Sequence, residues 1–185
     1  MAKHQIGKGI GNEHRGKLEI PVTELASGAI PPAPVTRDNF QGYAYSLVAG
    51  VGDESNFSFE VPKDWFIGTD MNVIFGWAIN EAYAAANGEV NWQLDWESVA
   101  NDESQLIGTG TAGNATSGDI NIPTLALQQH ETTIAIDDGD LTRDDLVRCR
   151  LERIDIATGV DPTAEPEIYS VRVEYTRTFD SSIRQ

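Results

Sequence analysis

The chain has one cysteine, Cys149, so it can form no internal disulfide and no CxxC metal or redox site. Its three histidines are His4 and His14 near the N-terminus and His130, which stands alone. A Ser-His-Asp or Cys-His arrangement would have to recruit His130 through the fold, because no local motif supports one. The longest uncharged, strongly apolar stretch, Met71 to Asn80, is far short of the roughly 20 residues that carry a helix across a bilayer. Residues 1–17 are polar and glycine-rich and lack the apolar region of a secretory signal, so export by a cleaved signal is not expected. Lysine is scarce: Lys3, Lys8, Lys17 and Lys63 stand beside nine arginines. With no Lys/Arg cluster beyond the N-terminus, direct nucleic-acid binding by the body is not expected either.

What the chain does have is acid. Its 185 residues include 15 Asp and 14 Glu, and the formal net charge is −16. At 40% hydrophobic residues it can still bury one core, so it should fold as one domain. Abundant aspartate with little lysine suggests a halophilic protein. In molar salt the Debye length falls to about 3 Å, and a dense carboxylate surface then repels itself little. The charge is also uneven. Residues 1–17 hold Lys3, Lys8, Arg15 and Lys17 against Glu13 alone, a net +3, which leaves −19 on the other 168 residues. A basic segment on an acidic body reads as a tether to something anionic, such as phospholipid headgroups, nucleic acid or the body of a neighbouring copy.

Gly7, Gly9, Gly11 and Gly16, followed by the proline-rich Ala29–Pro34, make residues 1–38 read as a flexible basic arm and lead-in, with one domain over residues 39–185. From Phe40 onward the dominant signal is alternation with period two, the mark of half-buried strands. It runs through Phe57-Phe59-Val61, Val73-Phe75-Trp77-Ile79, Val90-Trp92-Leu94-Trp96, Val147-Cys149-Leu151 and Tyr169-Val171-Val173-Tyr175-Phe179. Weaker strands are expected at residues 40–48, 119–127 and 131–137, and residues 108–118 read as a turn-rich stretch. Thr142 to Arg153 reads better as a turn and strand than as a helix. About eight strands predict an all-β, eight-stranded jelly-roll sandwich.

Candidate chemistry is sparse. Asp137, Asp138 and Asp140 around Gly139 offer loop carboxylates to Ca²⁺, but not with the spacing of a twelve-residue EF-hand loop. Asp95 and Glu97 share a strand face, as a glycosidase pair could, although neighbouring acids on an acidic protein are more often a solvated surface. Gly7-Lys8-Gly9-Ile10-Gly11 lacks the strand and the GK[ST] ending of a phosphate loop. Trp77, Trp92 and Trp96 could stack sugars, which would make the protein a lectin-like sandwich, but they lie in the apolar phase of their strands, which favours the core. Trp65 falls outside that pattern and reads as an exposed anchor. Asn56-Phe57-Ser58 and Asn114-Ala115-Thr116 fit the glycosylation sequon. Cys149 reads as a buried thiol, or as one half of an inter-subunit disulfide. No catalytic residues and no cofactor are expected.

Four segments carry a resemblance: Asn56-Phe-Ser-Phe-Glu-Val-Pro62, Val90-Asn-Trp-Gln-Leu-Asp-Trp96, Asp145-Leu-Val-Arg-Cys-Arg-Leu-Glu-Arg153 and Tyr169-Ser-Val-Arg-Val-Glu-Tyr175. With the length and charge, they resemble the smaller major capsid protein of tailless icosahedral haloarchaeal viruses with an internal membrane, the sphaerolipovirus group. That resemblance implies a single upright jelly roll in a virion shell, without catalytic residues. It would pair with copies of itself and with a larger paralogous capsid protein. The arm residues Lys3, Lys8, Arg15 and Lys17 would face the internal viral membrane or a neighbour.

Overall fold

The computed structural model describes residues 15–48, 51–83, 88–100 and 108–178. Fourteen strands follow one another: β1 (Arg15–Ile20), β2 (Ala26–Ser27), β3 (Ala33–Arg37), β4 (Phe40–Ala44), β5 (Leu47–Val48), β6 (Val51–Gly52), β7 (Glu54–Glu60), β8 (Met71–Ile79), β9 (Glu89–Val99), β10 (Thr111–Thr116), β11 (Ile120–Asn121), β12 (His130–Ile136), β13 (Leu146–Ile154) and β14 (Pro166–Thr176). Eight of them form the frame, in two antiparallel sheets ordered β12-β8-β14-β4 and β10-β9-β13-β7. Successive frame strands mostly alternate between the sheets, which is the winding of a jelly roll. The expected fold class is therefore the observed one.

The strands form where alternation predicts them because one face of each is closed into a shared core. Val73, Phe75, Trp77 and Ile79 of β8 meet Val90, Trp92 and Leu94 of β9 and Val147, Cys149 and Leu151 of β13, all almost fully buried. Trp92 sits at the centre, edge-on to Tyr45 and to Phe75, with ring centroids 5.3 Å away in each case. Burying one such side chain contributes roughly 1.5–3 kcal/mol, so this aromatic cluster is a main source of stability.

Two boundaries differ from the expectation. The stretch read as arm and lead-in over residues 1–38 is built into the sandwich from Arg15 onward: β1 pairs with β14 from Arg15↔Thr176 to Ile20↔Val171, and β3 pairs with β4. Edge positions explain the weak signal, since Pro34 needs no ladder hydrogen bond on an edge strand. Residues 108–118, expected as turn, contain β10, paired with β9 from Thr111↔Ser98 to Thr116↔Gln93. This strand is small and polar because the Trp96 indole lies against it; a Cβ on Gly113 would come within 2.5 Å of that ring. Thr142–Arg153 is indeed a turn and then β13, whereas only Ile120–Asn121 of the stretch 119–127 is a strand.

One side of the sandwich is closed by β10 lying against β12. The other side has β1, β4 and β3 at the rim of one sheet and β7 with the two-residue β2 at the rim of the other. The chain passes between these rims through a 3-10 turn at Val22–Glu24.

Candidate functional site

The faces that point to water are ladders of opposite charge. On the β12-β8-β14 sheet, Arg172 donates to Glu131 through both terminal nitrogens, at 2.6 and 3.0 Å, and from Nε to Glu174 at 2.9 Å. Arg37 holds Glu167 through Nε and Nη2 at 3.1 and 2.5 Å, and the Tyr169 hydroxyl donates to the same carboxylate. Burial pushes the Glu167 carboxyl up, but the bonds from Arg37 and Tyr169 outweigh it and hold the group below its ordinary value. Glu131 is held low mainly by its hydrogen bond from Arg172.

The β10-β9-β13-β7 face differs. Arg150 lies among three carboxylates: Nε donates to Asp95 at 2.9 Å, Nη1 is 3.2 Å from Glu54 and Nε is 3.7 Å from Glu152. Arg148 is 3.9 Å from Glu97. Burial first, and the charges of Asp95 and Glu54 next, push Glu152 up, against the pull of Arg150. Over this face runs a groove of about 520 Å³, lined by Arg148, Arg150, Asp95, Glu97, Asn56 and Ser58 and walled by Ile20, Glu24 and Ala26. A second hollow of about 340 Å³ continues past Arg150 to Glu54, Glu152 and Gly52.

Several expected site residues lie elsewhere. Arg15 and Lys17 are not arm residues: both sit in β1, Arg15 at 3.7 Å from Glu174 and Lys17 paired with Glu19. Lys3 and Lys8 lie outside the described residues. The Asp137–Asp140 turn does not gather its carboxylates for Ca²⁺. Asp137 accepts from the Gly139 N–H at 2.8 Å, Asp140 accepts from the Trp96 indole at 3.0 Å, and the Asp138 N–H donates to Asp70. No cluster of three metal-ligating side chains occurs among the described residues. Cys149 points into the core, and burial pushes its thiol far up, so it is not presented for a disulfide with another chain. Asp95 and Glu97, the candidate glycosidase pair, are engaged by Arg150 and Arg148. His130 lies against the Trp77 ring at 5.2 Å.

All four tryptophans are interior, Trp65 included, which corrects its reading as an exposed anchor. The Trp65 indole donates to the Thr69 carbonyl and the Trp77 indole to the Thr132 hydroxyl, each at 2.9 Å. Apart from Phe40 at the start of β4, which is 72% exposed, large exposed apolar side chains gather instead on loops. Phe66 and Ile67 (62% exposed) lie beyond β7. Tyr83, Leu125 (67% exposed), Leu127 and Val160 lie at the opposite end, where bonds from the Tyr83 N–H to Pro123 and from the Gly88 N–H to Val160 tie three loops together. Leu127 has φ +60°, a costly conformation for a branched side chain, and is pinned by its N–H to Ile79. No sequence pattern marked these loops; alternation reports faces closed in the core and is silent on tips.

The paired sheets and their strand order decide the architecture. This is a jelly-roll β-sandwich. No protein-family model matches the chain, and no curated protein matches it in sequence. Solved structures do match in shape. A family-35 carbohydrate-binding module in complex with a glucuronic-acid-containing disaccharide has a TM-score of 0.50 at 13% identity, over 88% of this chain and 99% of that one. The carbohydrate-binding and glycoside-hydrolase modules of a Clostridium thermocellum endo-1,4-β-D-xylanase, complexed with xylohexaose, give 0.49 at 10% identity, over 90% of this chain and 28% of that one. An infectious bursal disease virus structure gives 0.43 at 9% identity, over 92% of this chain and 33% of that one. At such identities the likeness shows the fold alone.

Proposed function

We propose that the protein is a non-enzymatic structural subunit that assembles with copies of itself and a larger paralogous partner into the capsid shell of a halophilic archaeal virus with an internal membrane. The observation that carries this reading is the distribution of apolar surface. A chain so rich in carboxylates nevertheless exposes Phe66 and Ile67 at one end and Tyr83, Leu125, Leu127 and Val160 at the other, on loops tied to the frame. Such residues on an otherwise charged protein mark contacts with other chains. The capsid resemblance of the sequence gives that assembly its setting. Lys3 and Lys8 would carry the remaining basic charge toward lipid headgroups or a neighbour.

A second reading is carbohydrate binding, and the likeness in fold to the family-35 carbohydrate-binding module favours it. The groove beside Arg148, Arg150, Asn56 and Ser58 would be its site, with guanidinium and amide groups for sugar hydroxyls and carboxylates. The interior position of every tryptophan weighs against the stacking that such modules would draw from indoles.

Chromatography with light scattering, in molar salt and in dilute buffer, separates the two. Assembly into dimers or larger species in molar salt is the expected result. A stable monomer under all conditions, together with saturable binding to an acidic oligosaccharide, would replace the first reading by the second.

A further inference from the structure

The rim of β7 is half covered. The Glu54 N–H donates to the Ile30 carbonyl at 2.8 Å, and the Glu54 carbonyl accepts from the Gly28 N–H at 3.2 Å, so both backbone groups of Glu54 point away from β13. Backbone direction alternates along an antiparallel strand, and the register of β7 with β13 is unbroken from Glu54↔Glu152 to Glu60↔Leu146. Asn56, Ser58 and Glu60 therefore point outward as well. Asn56 is met by Ala26 of β2. Beyond it the chain has turned away into Val22–Glu24, and the backbone groups of Ser58 and Glu60 have no partner among the described residues. Both residues are exposed. The notch beside them is lined by Ile20, Glu24 and Phe57.

An open edge next to an apolar, acidic notch is a slot for one more strand. The sequence contains a segment that fits it. In Ile6-Gly7-Lys8-Gly9-Ile10-Gly11 an extended chain places Ile6, Lys8 and Ile10 on one side and only glycine on the other. One side offers two apolar groups and an ammonium to Ile20, Phe57 and Glu24; the other lets the backbone approach closely. The charge also matches, since the β7-β13-β9 face sets Glu54, Asp95, Glu97 and Glu152 against Arg148 and Arg150 alone.

We infer that the open edge of β7 receives residues 6–11 of a second copy of this chain as an added strand. A second copy is favoured by direction. The segment leads into Arg15, which pairs with Thr176, and the Phe66 N–H just past β7 donates to Thr176. β7 and the segment of the same chain would thus run toward the same end, giving a parallel pair, whereas a neighbour's segment can enter antiparallel, the more stable ladder. This inference rests on the assembly reading and supplies a link for it.

The test mixes chains carrying Ser58→Cys with chains carrying Lys8→Cys, under assembling conditions, and treats them with a short bismaleimide; Cys149 is buried and does not compete. A cross-linked dimer in the mixture, absent when either variant is treated alone, is expected. Glu60→Pro added to the Ser58→Cys chain, which removes an N–H that β13 does not use, should leave the fold intact by circular dichroism and abolish the cross-link. Association without a Lys8–Ser58 link, or a link found only within single chains carrying both cysteines, would overturn the inference and leave assembly standing. Absence of association at every concentration would overturn both.

Discussion

The two outer sheet faces solve the same problem, a surplus of carboxylates, in opposite ways. On the β12-β8-β14 side, Arg15, Lys17, Arg37 and Arg172 meet Glu19, Glu131, Glu167 and Glu174, one cation for each acid. On the β9-β13-β7 side, Arg148 and Arg150 face Glu54, Asp95, Glu97 and Glu152, two cations for four acids. The first face holds Glu131 and Glu167 low, while the second pushes Glu152 up. Between the two sheet faces, the uncompensated carboxylates thus lie on one wall, beside the uncovered edge of β7. A balanced face is finished by its own residues; an unbalanced one is completed from outside, by salt, by a ligand or by another chain.

The largest effect should come from removing the cation at the centre of the unbalanced face. Arg150→Met leaves Glu54, Asp95 and Glu152 facing one another, and a loss of about 2 kcal/mol is expected in chemical denaturation at neutral pH, largely recovered in molar salt. If the loss persists unchanged in molar salt, packing by the arginine stem and not charge governs this face. On the balanced face, Glu167→Gln should cost about 1 kcal/mol, since Arg37 is partly solvated and can reorient. Thermal melts of the two variants side by side test the ranking.

The faces should also part company with pH. Glu131 and Glu167 have folded values below their unfolded ones, so their contribution is present above the unfolded value and is lost as the pH falls through the folded one. Glu152 is raised, so its ionisation weakens the fold at neutral pH, and that penalty is relieved as the pH falls through its raised value. The melting temperature should therefore rise slightly on mild acidification and then drop steeply below about pH 4, where carboxylates normally protonate. Glu152→Gln should give the smallest change, a gain of a few tenths of a kcal/mol at neutral pH. It should also erase the mild-acid rise. A rise that survives the substitution would locate its origin at Asp53, which burial also pushes up.

The long strands were legible because the physics that makes them also writes their pattern: a face closed on Trp92 must be apolar at every second residue. β1, β3 and β10 escaped because they lie at rims, where one side of the strand meets water and where Pro34, Gly16 and Gly113 are tolerated or required. The charge ladders escaped for another reason. Asp95 and Glu97 are visible as acids two apart, but that Arg150 and Arg148 stand opposite them depends on the register of β13 against β9, which no local pattern encodes. The contacts of the turn at residues 137–140 were hidden for the same reason, because Trp96, which donates to Asp140, lies on β9, and Asp70, which accepts from the Asp138 N–H, lies just before β8.

The inward position of all four indoles has a spectroscopic corollary. Indole emission shifts to the red when the ring meets water, so the intrinsic fluorescence of this chain is set by its interior and acts as an optical gauge of whether the two sheets remain closed on each other. A strand added along β7 or a sugar lodged over Arg150 would come near only Trp96, which lines the groove there, whereas opening of the sandwich would expose all four rings at once.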